Sequence, residues 1–144
     1  MTIRPRAVRA LRDLRERLRD AAAASHATAV GHADAAGVAV SESHDQLEAF
    51  LDDASQALGE VTSVYDIDRI SDHAGDYRVA IVDATARHKQ AIAITEVTAG
   101  HLRERARQLR TAEKLVELAN DHRARRDARA EQLGNDDMAS GRKR

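Results

Sequence analysis

The chain has no cysteine and no tryptophan, and its 144 residues include three aromatic side chains: Phe50, Tyr65 and Tyr77. Without thiols it can have no disulfide framework, no thiolate metal site and no cysteine nucleophile. A compact globule of this size normally buries several aromatic rings, each covering roughly 150–250 Å². Pro5 is the single proline, so no residue after it must break a helix. These absences argue against a compact globule and favour a long helical protein.

Long apolar segments are also missing. No run of about 18 apolar residues occurs, so we expect no transmembrane helix and no direct membrane insertion. The N-terminal residues are charged and lack the apolar core of a secretory signal, so we expect no signal peptide.

Charge is abundant and unevenly distributed. A third of the residues are charged, and alanine and arginine dominate, which is typical of a long helix or coiled coil. Residues 1–20 carry a net charge of +4, residues 21–86 carry −10 and residues 87–144 carry +5. If the chain folds back on itself, the two basic ends meet and the acidic middle lies at the far end. The basic ends are then either a partner surface or ordinary solvated helix faces.

The first helix is predicted over residues 5–58. Pro5 suits the first helical position, where its missing N–H is not needed. Apolar residues then recur every eleven positions, which gives about 3.67 residues per turn and a straight or slightly right-handed helix. The residues in these eleven-residue repeats are Leu18, Ala29, Val40 and Leu51, and separately Ala36, Leu47 and Leu58.

A turn is predicted over residues 59–63 and a second helix over residues 64–133. Gly59 follows the last apolar residue of helix one, and Thr62 or Ser63 can cap the next helix. Two sets of residues three apart then recur every seven positions, which is the pattern of a coiled-coil seam. The first set is Ile67, Ala74, Ile81, His88, Thr95, Leu102, Leu109 and Val116; the second is Ile70, Tyr77, Ala84, Ala91, Thr98, Arg105, Ala112 and Ala119.

The whole chain, residues 1–144, is therefore predicted to be one all-α domain, a long antiparallel two-helix coiled-coil hairpin. A five-residue connection forces the two helices antiparallel. Gly134 and Asn135 suggest the end of helix two, which leaves residues 134–144 as a basic tail.

No pattern of catalytic residues is present. The seven glycines are scattered singly and form no phosphate-binding loop, and no Ser/His/Asp spacing occurs. Two Glu-x-x-His pairs, which a di-iron site in a helical bundle needs, are absent. We therefore expect no enzymatic activity, no catalytic residue, no metal site and no cofactor. Acidic residues are mixed among the arginines and no aromatic residues accompany them, so nucleic-acid binding is a remote alternative.

The C-terminal third resembles the flagellar export protein family FliJ. The resemblance consists of AEKLVELA at residues 112–119, an arginine-rich stretch from Arg123 to Arg129, Glu-Gln at residues 131–132 and DDMA at residues 136–139. The opening VRALRDLRE at residues 8–16 and the Ser63, Tyr65, Ile67 and Ile70 pattern also fit this family. The YscO-type stalk proteins of type III injectisomes share the plan, but the Glu-Gln and Asp-x-x-Ala ending favours the flagellar family.

The resemblance implies a cytoplasmic stalk peripheral to the inner face of the cell membrane. Family members do not hydrolyse ATP; they insert in and stimulate a hexameric export ATPase, contact the cytoplasmic domain of the export-gate membrane protein, and hold export chaperones. The expected ATPase-binding residues are Arg9, Arg12, Arg103, Arg107, Arg110, Arg123, Arg126 and Arg129. The expected gate-binding residues are Phe50, Tyr65, Ile67 and Ile70. The main rival is an unrelated coiled-coil scaffold or dimerisation protein, in which these arginines are solvated flanks and these apolar residues pack in the seam or turn.

Overall fold

The chain folds into two long helices that pack against each other. A computed structural model describes residues 5–59 and 63–141, with α1 at Pro5–Leu58 and α2 at Val64–Gly141. Every described residue except Gly59 and Ser63 is helical, so this part of the chain contains no strand. The predicted all-α antiparallel hairpin is confirmed.

Hydrogen bonds define the two helix ends on either side of the turn. The Gly59 N–H donates to the Gln56 carbonyl at 3.2 Å, a tight i→i+3 turn, and no glycine in residues 5–59 and 63–141 has positive φ. The Tyr65 N–H donates to Ser63 Oγ at 3.2 Å, so Ser63 caps α2. The middle of the predicted turn, residues 60–62, includes Thr62 and lies outside the described residues.

Residue contacts divide the chain into two compact units. Unit 1 comprises Met1–Ala23 and His101–Arg144, and unit 2 comprises Ala24–Gly100. By sequence, unit 1 carries 19 Lys+Arg against 11 acids, a net charge of +8, and unit 2 carries 4 against 13, a net charge of −9. The two basic segments of the chain therefore belong to one unit, and the acidic middle forms the other.

The seven-residue seam predicted for α2 is observed. Of its sixteen positions, fifteen are buried or half-buried, and Ala74, Ala84, Ala112 and Ala119 are the most enclosed. Ile67 at the start of the helix is the exception, with 54% of its surface exposed. Small alanine side chains bury little area each, so we expect the seam to be only modestly stabilising at about 25 cal/mol per Å².

The eleven-residue repeat predicted for α1 is not the repeat that the structure follows, although five of its seven residues are buried or half-buried. Leu51 and Leu58, which it places in the seam, are each 42% exposed. Most of the buried and half-buried residues instead alternate at spacings of four and three, a seven-residue repeat that matches the one in α2. They are Val8, Arg12, Arg15, Arg19, Ala22, His26, Ala29, Ala33, Ala36, Val40, Ser43, Leu47, Phe50 and Ala54. Three arginines, a histidine and a serine occupy seam positions, and these polar residues hid the repeat in the sequence.

Helix α2 does not end at Gly134 as predicted; it continues to Gly141. Residues 120–136 are all exposed, so packing does not hold this segment. A single glycine costs about 1 kcal/mol relative to alanine in a helix, and adding residues to an existing helix is far easier than starting one. Gly134 and Asn135 therefore weaken the helix without ending it.

In unit 2 the helices approach closely through small residues. The Thr95 hydroxyl lies 3.3 Å from the Ala29 carbonyl of the other helix and 3.0 Å from the Ala91 carbonyl of its own helix. Thr98 Oγ1 donates to the Thr95 carbonyl at 3.0 Å, so it accepts from His26 Nδ1 across the seam at 3.1 Å. Thr95, Thr98 and His26 are thus hydrogen-bonded to the opposite helix, which satisfies these polar seam residues without loss of close packing.

Gly37 makes room for the His88 ring. A Cβ atom at residue 37 would lie 3.2 Å from His88 Nε2, whereas a Cβ at Gly31 would meet nothing within 4 Å. We expect Gly37→Leu to lower the free energy of unfolding by about 1–3 kcal/mol because the seam becomes overpacked. Gly31→Leu, the matched control, should be neutral or stabilising, since leucine favours helix more than glycine. Urea denaturation followed by circular dichroism measures both.

A second substitution tests the cause. In the Gly37→Leu background, His88→Ala removes the ring that leucine displaces, so stability should rise again. If Gly37→Leu and Gly31→Leu behave alike, the close fit between Gly37 and His88 does not determine packing at this point.

Candidate functional site

The eight arginines expected to bind an ATPase all belong to unit 1. Arg9, Arg103, Arg107, Arg110, Arg126 and Arg129 are exposed on the helix surfaces, as is Arg123, whose Nε lies 3.7 Å from Asp127 Oδ2. Arg12 is half-buried; its Nη2 donates to Asp13 Oδ1 at 2.6 Å, and this hydrogen bond and the Asp13 charge raise the pKa of the Arg12 guanidinium. The structure thus presents seven of these residues to solvent on a unit with net charge +8.

Further arginines lie in the seam of unit 1 rather than on its surface. Arg15 Nη1 and Arg105 Nη1 both donate to Gln108 Oε1, the latter at 3.1 Å, so two cations share one neutral acceptor. Gln108 Nε2 in turn donates to Glu104 Oε1 at 2.9 Å. Elsewhere in the seam, Arg19 Nε is buried without a hydrogen-bond partner among the described residues. The seam of unit 1 therefore contains positively charged and polar residues beside its buried alanines.

A groove lined by apolar and polar side chains lies in unit 2 near the start of α2. It has a volume of about 220 Å³ and is lined by Phe50, Ala57, Asp66, Arg69, Ile70 and His73. The Phe50 ring centroid is 6.2 Å from that of His73, with nearly parallel planes, and 5.2 Å from that of Tyr77. Because a carbonyl oxygen can only accept, His73 Nδ1, 2.9 Å from the Arg69 carbonyl, carries the proton. Phe50 of the groove thus contacts the rings of both His73 and Tyr77.

The structure separates the four expected gate-binding residues into two pairs. Phe50 and Ile70 are half-buried and line the groove, whereas Tyr65 and Ile67 are 70% and 54% exposed on the first turns of α2. All four lie in unit 2, and so does Val64, which is also exposed. An accessible apolar patch and an adjoining groove thus occur in the same acidic unit.

The sequence interpretation missed the partners of Phe50. The sequence pattern indicates no role for His73 or Arg69, and it places Tyr77 in the seam without a neighbour. A seven-residue repeat in α1 would have placed Phe50 in that seam opposite Tyr77, but the eleven-residue repeat put Leu51 there instead. The signal was present in the spacing from Val40 to Leu47 and Ala54.

Two other findings concern metal binding and membrane-spanning helices. Within residues 5–59 and 63–141, no group of three or more His, Asp or Glu side chains is arranged to hold a metal ion. Neither described helix has an 18-residue stretch apolar enough to cross a bilayer.

Fold and surfaces together define an antiparallel coiled-coil hairpin whose accessible features are basic and apolar patches of the kind that bind other proteins. The family model described as "Flagellar FliJ protein" matches residues 6–143, nearly the whole chain. The chain belongs to this family and is thus assigned to flagellar protein export. No curated protein and no solved structure gave a significant match to it.

Proposed function

We propose that the protein is a non-enzymatic stalk of the flagellar export apparatus that inserts in the hexameric export ATPase and stimulates it. The observation that carries the proposal is unit 1, with net charge +8 and exposed arginines along both helices. A ring pore lined by acidic side chains would attract such a surface, and complementary charge speeds association and sets orientation.

Two of these arginines are suited to contact a partner because they form no ion pair with another described residue. Among the described residues, Arg107 and Arg110 form no ion pair within 4.0 Å, and both lie on the side of α2 away from the seam. Their guanidinium groups can therefore form bidentate bonds to carboxylates of the ATPase without first breaking ion pairs within the chain.

The apolar features of unit 2 support a second proposed role, contact with the cytoplasmic domain of the export gate. Tyr65 and Ile67 leave 70% and 54% of their surface exposed, and Phe50 and Ile70 line a groove beside them. Tyrosine and apolar anchors that fill grooves contribute most of the binding energy in many interfaces. Export chaperones, the third proposed partner class, could use the same surface at the inner face of the cell membrane.

The rival functions make different predictions. A nucleic-acid-binding protein would place stacking rings beside its arginines. Here all three aromatic residues lie in unit 2, and the basic unit 1 contains none. An unrelated scaffold would bind its partner proteins through the same hairpin but would not change the rate of ATP hydrolysis by the export ATPase.

The direct test adds the purified chain to the purified cognate export ATPase and measures phosphate release. We expect ATP hydrolysis to rise with chain concentration and to saturate, and the chain alone to release no phosphate. Because the contact is electrostatic, the concentration needed for half-maximal stimulation should increase with salt. Unchanged hydrolysis at every concentration would favour the scaffold, and a gel shift of DNA or RNA would favour the nucleic-acid alternative.

A further inference from the structure

Unit 2 contains a band that is almost free of charge. Residues 24–41 of α1 contain one charged residue, Asp34, and residues 84–100 of α2 contain three, Arg87, Lys89 and Glu96. The band is therefore net neutral in a chain whose residues are one-third charged. In contrast, residues 42–83 of the same unit carry a net charge of −9.

Apolar side chains in this band are left uncovered. A helix that is apolar on all sides is normally buried on all sides. Residues 91–100 of α2 have the sequence AIAITEVTAG, yet Ile92, Ile94 and Val97 are exposed because α1 covers one side only. In the seven-residue repeat, Ile92 of α2 and Val30 of α1 flank the seam on the same side, and both remain accessible.

The charged residues on this side of α2 are self-complementary. Lys89 and Glu96 are one seven-residue repeat apart, so they project from the same face of the helix with Ile92 and Ala93 between them. All four are exposed. If this face meets its own copy in the antiparallel direction about the midpoint of Ile92 and Ala93, Lys89 of each chain faces Glu96 of the other.

We propose that this face of α2, defined by Thr85, Ala86, Lys89, Ile92, Ala93, Glu96 and Ala99, is a homodimer interface. The two copies are antiparallel and related by a two-fold axis between Ile92 and Ala93. Two Lys89–Glu96 ion pairs frame the contact, and Ile92 packs on Ala93 of the other copy. Val30 and Ala27 of α1 extend the apolar surface, so that two hairpins form a four-helix arrangement at this band.

Charge favours a second copy over other occupants of the face. The band is neutral, so two copies can approach there without repulsion, although unit 2 as a whole carries −9. The order of charges along α2 also favours the antiparallel over the parallel direction. In the parallel direction each Lys89 would face the Lys89 of the other copy and each Glu96 the other Glu96, whereas the antiparallel direction pairs Lys89 with Glu96.

Charge reversal provides the decisive test. We expect the wild-type chain to sediment as a dimer at micromolar concentration. Lys89→Glu places two carboxylates together at each of the two contacts, and Glu96→Lys places two ammonium groups together there, so each variant alone should dimerise at least tenfold more weakly. A one-to-one mixture of the two variants should dimerise again, because opposite charges are then available to both contacts.

The matched control is Arg87→Glu, which makes the same change in charge on the same helix but on a different side. It should dimerise like the wild type, and circular dichroism should show unchanged helix content for all variants. A monomeric wild-type chain, single variants that dimerise normally, or a mixture that stays monomeric would each overturn the proposal.

A cross-link locates the interface independently. Since the chain has no cysteine, Ala93→Cys introduces a unique thiol close to the proposed two-fold axis. A short bifunctional maleimide should join two Ala93→Cys chains into a covalent dimer. Val97→Cys, about four residues from the axis on a neighbouring side, should cross-link much less. Equal cross-linking at both positions would mean that copies meet elsewhere. If the wild-type chain proves to be monomeric and Ile92→Glu abolishes ATPase stimulation, the face binds another protein and the homodimer proposal is wrong.

Discussion

Replacing Arg107 and Arg110 together by glutamate is expected to raise the concentration for half-maximal ATPase stimulation by about tenfold or more. Both side chains are exposed on unit 1 and form no ion pair with another described residue, so their removal should leave the fold intact. Reversal turns two attractive contacts with acidic pore residues into repulsive ones, and close charge pairs across an interface are worth roughly 1.5–7 kcal/mol. Phosphate release, titrated with each variant, measures the change.

The control makes the same total change in charge in the other unit. Arg78→Glu with Arg87→Glu alters two exposed arginines of the acidic unit 2 and should leave stimulation close to that of the wild type. Equal loss in both double variants would indicate a general effect of net charge. No loss in either would count against unit 1 as the ATPase-binding surface.

Replacing the seam arginines Arg15 and Arg105 together by leucine is expected to raise the free energy of unfolding by about 1–3 kcal/mol. Both guanidinium groups share Gln108 Oε1 and have no carboxylate within 4.0 Å in the described part of the chain. Half-buried charges without a carboxylate partner lose hydration and gain little electrostatic attraction in exchange. Apolar replacements of such groups are therefore often stabilising. Leucine at a seam position also adds buried apolar area.

Urea denaturation measures this gain, and Arg17→Leu is the matched control. Arg17 is exposed on the outer side of α1, so its replacement should change stability by no more than about 0.5 kcal/mol. A destabilised double variant would mean that the shared Gln108 contact holds unit 1 together. A stabilised variant that still stimulates the ATPase would separate the seam arginines from those that bind.

A substantial part of this architecture could be predicted from the sequence. In α2, the seam positions at residues 67–119 are apolar or small often enough for the seven-residue repeat to be visible, and fifteen of the sixteen are enclosed. The same repeat in α1 was missed, because Arg12, Arg15, Arg19, His26 and Ser43 occupy seam positions. Long polar side chains can keep their stems in a seam and their ends in water, so polarity in the sequence does not exclude a position from the core.

Composition and spacing along the chain are enough to specify a charged, alanine-rich helical hairpin with basic ends and an acidic middle. Those properties depend on neighbours within one helix, which a sequence displays directly. Packing of α1 on α2 was needed to show which residues meet: Phe50 beside His73 and Tyr77, Gly37 beneath His88, and Arg15 with Arg105 on Gln108. The relative register of two antiparallel helices depends on how side chains more than twenty residues apart fit together, and a spacing pattern within either helix does not contain that information.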